Sequence, residues 1–325
     1  MQQPESRLIK REKGTDSPRR SWGFIAGSVL AGVLTASCGG GDRTGEPPPT
    51  GVILDKANML SIAHKANDSF VMFDLAMFAS DFILWGNDWF DSGTAYQCLD
   101  DDENSGSVTF TTNSTTDAFQ AGDVLTISYD DCQTEEDDPT RISGDMELRV
   151  QSVTGDATSL EIGQPWTYKL TVLYDKFTLL SPSERIVIEG KMKITESSPG
   201  VINTDLDEHI TTHFESTSMR LTEDADTHTY SNAAGTLVSE HTAEGLWTAT
   251  INTELISTTL AGKLSFVTME PFKGVLDDPF PTRGLGRIDA GLEQQLQLRA
   301  QPTGVDATLI TPRFRESFFI NWTNF

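Results

Sequence analysis

The stretch 185–195, RIVIEGKMKIT, places Ile186, Ile188, Met192 and Ile194 at alternate positions, with Glu189, Lys191, Lys193 and Thr195 between them. Successive side chains of a strand point to opposite faces, so this period of two predicts a strand with one apolar and one polar face. The period continues outward in both directions. It recurs upstream in 107–112, 124–129, 146–153 and 167–180, and downstream in 209–221, 227–230, 236–240, 246–255, 263–268, 286–290, 294–299, 307–310 and 317–322. Gly, Asp, Asn, Ser and Pro join these segments, and no helical pattern interrupts them. The chain is therefore expected to be mainly β, a large curved antiparallel meander that forms an open half-barrel, a barrel or a sandwich. Gly106, Gly122, Gly144, Gly190 and Gly262 each precede an alternating run. In this weak repeat the glycine is expected to supply the unusual backbone angles of a turn or bulge. The final run Phe318-Phe319-Ile320-Asn321-Trp322 reads as a paired last strand able to close the sheet.

Ahead of the strands the period changes. Met59, Leu60, Ile62 and Ala63, then Val71, Met72, Leu75, Ala76, Phe78, Ala79, Phe82 and Ile83, recur at spacings of three and four. They predict a helical segment over 57–85 packed on the sheet, with Asp68 or Ser69 capping its second part. The polar face of the strands is rich in Thr, Ser, Glu and Lys. A transmembrane barrel needs that face apolar, so the body is expected outside the bilayer.

The first 50 residues have another character. Arg7, Lys10, Arg11, Lys13, Arg19 and Arg20 precede the small and apolar run 23–37, GFIAGSVLAGVLTAS, which ends at Cys38. Fifteen residues fall short of the roughly 17–25 of a membrane-spanning helix; they suit the core of a signal peptide. Leu34-Thr35-Ala36-Ser37 ahead of Cys38 resembles the lipobox of bacterial lipoproteins cut by signal peptidase II. The resemblance implies removal of 1–37, a covalent lipid on Cys38 as the only prosthetic group, and a membrane partner reached through it. Residues 38–50 then carry the anchor and a Gly- and Pro-rich tether, and 51–325 form a single mainly-β domain. Gly39 after the cysteine, by the same resemblance, implies sorting to the outer membrane. Arg19-Arg20-Ser21-Trp22 is similar to a twin-arginine export signal, so that route and the general one both stay open.

Charge and cysteine content narrow the partners. The whole chain carries a formal charge of −24, and without 1–37 it has 18 basic against 45 acidic residues. Such a body repels polyphosphates, so nucleic acid is excluded as a partner. Behind the anchor only Cys98 and Cys132 remain, an even pair that in an exported chain reads as one disulfide. The segment from Cys98 to Leu148 resembles proteobacterial lipoproteins without an assigned activity, a likeness that carries no catalytic motif.

Motifs of catalysis are scarce. No GxSxG, SxxK, HExxH, P-loop or GxGxxG occurs. His209 and His213, flanked by Asp207 and Glu215, would stand about 13 Å apart on a strand, too far for one ion, and read as a polar face. The acidic runs 100–103, 130–131 and 135–138 could gather carboxylates near the disulfide. Asp100, Asp102, Asp137 and Asp138 are the calcium candidates they offer, against a solvated loop as the plainer reading. Trp85, Trp89, Trp166, Trp247 and Trp322 are read as core or rim residues of a large sheet rather than a ligand cleft. Together these features lead us to expect a non-catalytic lipoprotein of the outer membrane with a binding or structural role, whose partner is an apolar ligand or another envelope protein. Two alternatives stand beside it: a half-barrel carrier of hydrophobic ligands, with its cavity beneath 57–85, and an envelope hydrolase assembled from distant loops around His209, His213, His228 or His241.

Overall fold

A computed structural model of the chain describes residues 52–324 apart from 87–89, 100–104, 134–138, 156–163, 183, 201–207, 224–225, 242–244, 261, 277, 279 and 292. Helix α1 (Met59–Asn67) runs through a short 3-10 turn (Asp68–Phe70) into helix α2 (Val71–Trp85). Fourteen strands follow: β1 (Ala95–Gln97), β2 (Ser107–Thr112), β3 (Val124–Gln133), β4 (Arg141–Thr154), β5 (Trp166–Leu180), β6 (Arg185–Ser198), β7 (Glu208–Glu223), β8 (Asp226–His241), β9 (Leu246–Ser257), β10 (Lys263–Val275), β11 (Arg283–Asp289), β12 (Gln295–Gln301), β13 (Gly304–Ile310) and β14 (Arg315–Asn321). They form one sheet in chain order, each antiparallel to the last.

The stretch 185–195 occupies β6 in the expected phase: Ile186, Ile188, Met192 and Ile194 are buried, while Lys191 and Lys193 are exposed. The end of the chain decides among the expected architectures. β14 pairs with β13 alone among the described residues, so the sheet stays open. Closure requires strand number and stagger to be mutually consistent, a condition that one apolar strand cannot supply. Two of the repeated glycines also do more than launch strands. Gly144 and Gly190 lie inside β4 and β6 with φ of 99° and 144°. A Cβ on Gly144 would stand 2.3 Å from the Lys176 carbonyl oxygen, and one on Gly190 would stand 2.7 Å from that of Ser218. Both adjoin register shifts, where the strands bend to curve the sheet.

The inner face of that curve is filled by the helical segment. Phe82 meets Phe110 of β2 at 6.1 Å, Phe78 meets Phe177 of β5 at 5.8 Å, and Phe73 meets Phe214 of β7 at 4.9 Å. Phe70 reaches β10, with its ring 5.4 Å from that of Phe272. Three tyrosine hydroxyls donate to helix carbonyls, Tyr174 to Leu75 at 2.7 Å, Tyr230 to Lys65 at 3.2 Å and Tyr168 to Ser80 at 3.5 Å. Before α1, the Leu54 N–H donates to Gln294 Oε1 at 2.6 Å and Lys56 pairs with Glu316 at 3.3 Å, which sets the start of the described chain against β12–β14. The segment therefore crosses the sheet from β14 to β2 as a strap. The expected side-chain cap at its middle does not form. Phe70 holds the N-cap position of α2 in helical geometry, and the Ser69 hydroxyl turns back to the Ala66 carbonyl at 2.5 Å.

Cys98 and Cys132 are joined, as expected, with their Cα atoms 5.5 Å apart across 34 residues of sequence. A loop of that length stabilises the fold by roughly 4 kcal/mol in the chain-entropy account.

Candidate functional site

The densest gathering of titratable groups among the described residues lies where the strap crosses the β7–β8 hairpin. Lys65 is on the sheet-facing side of α1 with Ile62, Ala63 and Ala66, and it is the charged member of an otherwise small and apolar stripe. Its Nζ lies 2.6 Å from Asp226 Oδ2 and 3.1 Å from His228 Nε2. Asp226 begins β8, and His228 stands two residues further along the same strand. His228 Nε2 is also 3.1 Å from Asp226 Oδ2 and 3.7 Å from Glu223 Oε2. The end of β9 and the turn after it complete the shell. Ser257, Thr258 and Thr259 donate their hydroxyls to the Asp226 carboxylate at 3.0, 2.6 and 2.7 Å.

Electrostatics follow from that packing. Burial raises the Asp226 carboxyl, yet the hydrogen bonds from Lys65, Thr258 and Thr259 outweigh it and hold the group far below the usual carboxylate range. Burial and the Lys65 charge together depress His228 against the pull of Asp226, so the imidazole is neutral. Asp68, one turn beyond Lys65, is pushed well up by burial and by Glu223. The signs then oppose one another. Asp226 stabilises the fold above its ordinary value near 3.8, and that contribution is lost as pH falls through its depressed value. His228 disfavours the fold once pH drops below its ordinary 6.5, because the unfolded chain takes up the proton. Asp68 disfavours it as pH rises above 3.8.

Asp74, on α2, isolates the last of these effects, since burial alone raises it to about 7. Its folded value lies above its unfolded 3.8, so stability is greatest below about pH 4 and declines as pH rises through 7. Asp74→Asn is therefore expected to raise the melting temperature strongly at pH 8 and by a smaller amount at pH 5, where the unfolded carboxyl is already ionised but little of the span up to 7 has been crossed. Melting curves at the two pH values check this, and an equal shift at both would contradict it.

The chemistry open to the cluster is limited. Asp68, Glu223 and His228 each present one ligand atom, all within 4.8 Å of one another. The Lys65 ammonium, however, already sits against His228 Nε2 and supplies a resident positive charge. His228 Nδ1 is buried without a hydrogen-bond partner, whereas a metal-bound imidazole fixes its second nitrogen through one. The set suits an ammonium better than a metal ion. For acyl transfer a hydroxyl would have to donate to the imidazole. Here the nearby hydroxyls donate to Asp226 instead, and His228 is only 1% exposed.

The sequence-derived candidates are dispersed. His209 faces Glu240 across the β7–β8 ladder at 3.9 Å, and His213 Nδ1 meets Thr236 Oγ1 at 3.0 Å, so the two stand in separate rows of a strand, as expected. Trp166 stacks on Tyr168, Trp247 donates to the Val275 carbonyl, and Trp322 stacks on Phe280, all of them buried. Cys38, the four calcium candidates Asp100, Asp102, Asp137 and Asp138, and also Asp207 and Trp89 lie outside the described residues. Sequence reasoning passed over Lys65, Glu223 and Asp226. A lysine within a stripe of small and apolar helix residues was the available signal for the first; the other two read only as turn residues.

No family model matches the chain, and neither a curated protein nor a solved structure matches it.

Proposed function

We propose that the chain is an exported lipoprotein of the outer membrane, held by a lipid on Cys38, whose acidic β body acts by binding or as a structural element rather than by catalysis. The carrying observation is the order of basic segment, short apolar run, Leu34-Thr35-Ala36-Ser37, Cys38 and Gly- and Pro-rich tether. The Cys98–Cys132 bond suits an oxidising compartment. Among the described residues no helix is long and apolar enough to cross a membrane. The ligand-carrier alternative calls for an open cavity beneath the strap. Ring contacts at 4.9–5.8 Å between Phe73 and Phe214 and between Phe78 and Phe177 weigh against one there. The hydrolase alternative is weakened because the hydroxyls nearest His228 donate to Asp226 and none donates to the imidazole.

The test is Cys38→Ala in the full-length chain, read by incorporation of labelled fatty acid and by cell fractionation. The wild type should carry label and sediment with membranes, while the variant should lose the label and become soluble. Continued membrane association of an unlabelled variant would remove the anchor from this reading.

A further inference from the structure

The two edges of the sheet are built differently. β1 is three residues long, and the segment beside it folds back on β2: the Gly93 N–H donates to the Phe110 carbonyl at 2.7 Å and the Thr112 N–H to Ser92 Oγ at 3.0 Å. That edge is short and largely satisfied, which is how natural sheets blunt an edge. Among the described residues nothing covers the outer edge of β14 in this way. Its seven residues pair continuously with β13, with no bulge, proline or lysine, and Phe319 on its convex side is 51% exposed.

The ladder also fixes which backbone groups are left over. The Thr311 N–H donates to the Phe314 carbonyl at 3.0 Å and the Trp322 N–H to the Thr303 carbonyl at 3.3 Å. With the register from Ile310↔Arg315 to Gly304↔Asn321, the even-numbered residues of β14 bond to β13. The N–H and C=O groups of Arg315, Ser317, Phe319 and Asn321 therefore point outward along the free edge.

We propose that this edge pairs with the same edge of a second copy of the chain, antiparallel, about a two-fold axis through Phe318. A strand edge added to a sheet gains main-chain hydrogen bonds, and here one register uses every outward group. With full overlap Arg315 faces Asn321 and Ser317 faces Phe319, twice each, giving about eight backbone hydrogen bonds at two per pair. Phe318 then faces its own copy in the close pair of the ladder, with Cα atoms about 4.5 Å apart, an aromatic pairing that favours antiparallel sheets. Glu316 faces Ile320, so no like charges oppose each other. The axis is normal to the sheet and keeps both concave faces on one side. The start of the described chain, held near β14 through Lys56 and Glu316, emerges on that same side in both copies, so two tethers can reach one membrane plane. A ladder this short buries less than the roughly 1,200–2,000 Å² of a stable interface. Confinement by the anchor proposed above would raise the effective concentration and the dimer population.

The test uses two differently tagged full-length copies, one carrying Ser317→Cys and the other Phe319→Cys, expressed together and oxidised in whichever cell fraction holds the protein. A facing hydrogen-bonded pair has Cα atoms about 5.5 Å apart, a disulfide distance. The mixed pair should form a covalent dimer in several-fold higher yield than either variant alone. Arg315→Cys with Asn321→Cys should do the same, which keeps the test alive if the first pair disturbs the strand. Equal yields from all combinations, or no dimer from either mixed pair while the Cys98–Cys132 bond and the melting temperature are intact, would overturn the proposal. The fraction in which the protein is found reports separately on the anchor.

Discussion

Asp226→Ala is expected to destabilise the protein by about 3–5 kcal/mol at neutral pH, the loss typical when one partner of a buried ion pair is removed. The side chains of Lys65 and Asp226 are only 10% and 18% exposed, so solvent screens the pair weakly. Removing the carboxylate leaves the ammonium beside a neutral imidazole and strands the hydroxyls of Ser257, Thr258 and Thr259. The same change uncouples three elements, because this one carboxylate ties α1, the start of β8 and the turn after β9. Urea denaturation measures the effect. The double variant Lys65→Met with Asp226→Leu should lie closer to the wild type than Asp226→Ala alone, since the Lys65 ammonium is then no longer left buried without its carboxylate. The Asp226→Ala deficit should persist at pH 5, because the native carboxyl stays ionised well below its ordinary value. A loss under about 1 kcal/mol would mean that water satisfies Lys65 and that the pair behaves as a surface bridge.

The contrast between the strands and this cluster marks how far the sequence can be read. β6 was legible because burial on one face forces a period of two, and Ile186, Ile188, Met192 and Ile194 carry it without interruption. The strap was legible for the same reason with a different period, and its covered face follows from Met72, Leu75, Ala76 and Ala79. What periodicity does not contain is which distant residues meet. Lys65 and Asp226 are 161 positions apart, and their contact depends on how far the strap slides across a curved sheet. The curvature in turn depends on bulges such as the shift between Tyr174 and Phe177, which alternation only partly predicts. β1 escaped notice because three residues with one half-buried tyrosine have too little pattern. Sheet closure is left open by the sequence for a related reason: an apolar last strand looks the same whether its second edge is bonded or bare.

The position of the strap over β7 and β8 should depend most sharply on a single interlock. Phe73 is 4% exposed, and its ring stands edge-on to that of Phe214 at 4.9 Å. Gly235, paired with Phe214 across the ladder, makes the space for both rings: a Cβ there would lie 2.5 Å from the Phe214 ring and 2.7 Å from that of Phe73. Phe73→Ala opens a void between helix and sheet and is expected to cost about 3–5 kcal/mol. Gly235→Ala does the reverse, and overpacking should cost about 1–3 kcal/mol. Because the two changes act on one volume with opposite sign, they should not add. In the Phe73→Ala background the added methyl gains room on the helix side, and the Phe214 ring can turn into the vacated space. Gly235→Ala should then be nearly neutral, leaving a coupling of about 1–2 kcal/mol in a double-mutant cycle. Additivity within experimental error would show that the helix and the β7–β8 ladder do not share this volume.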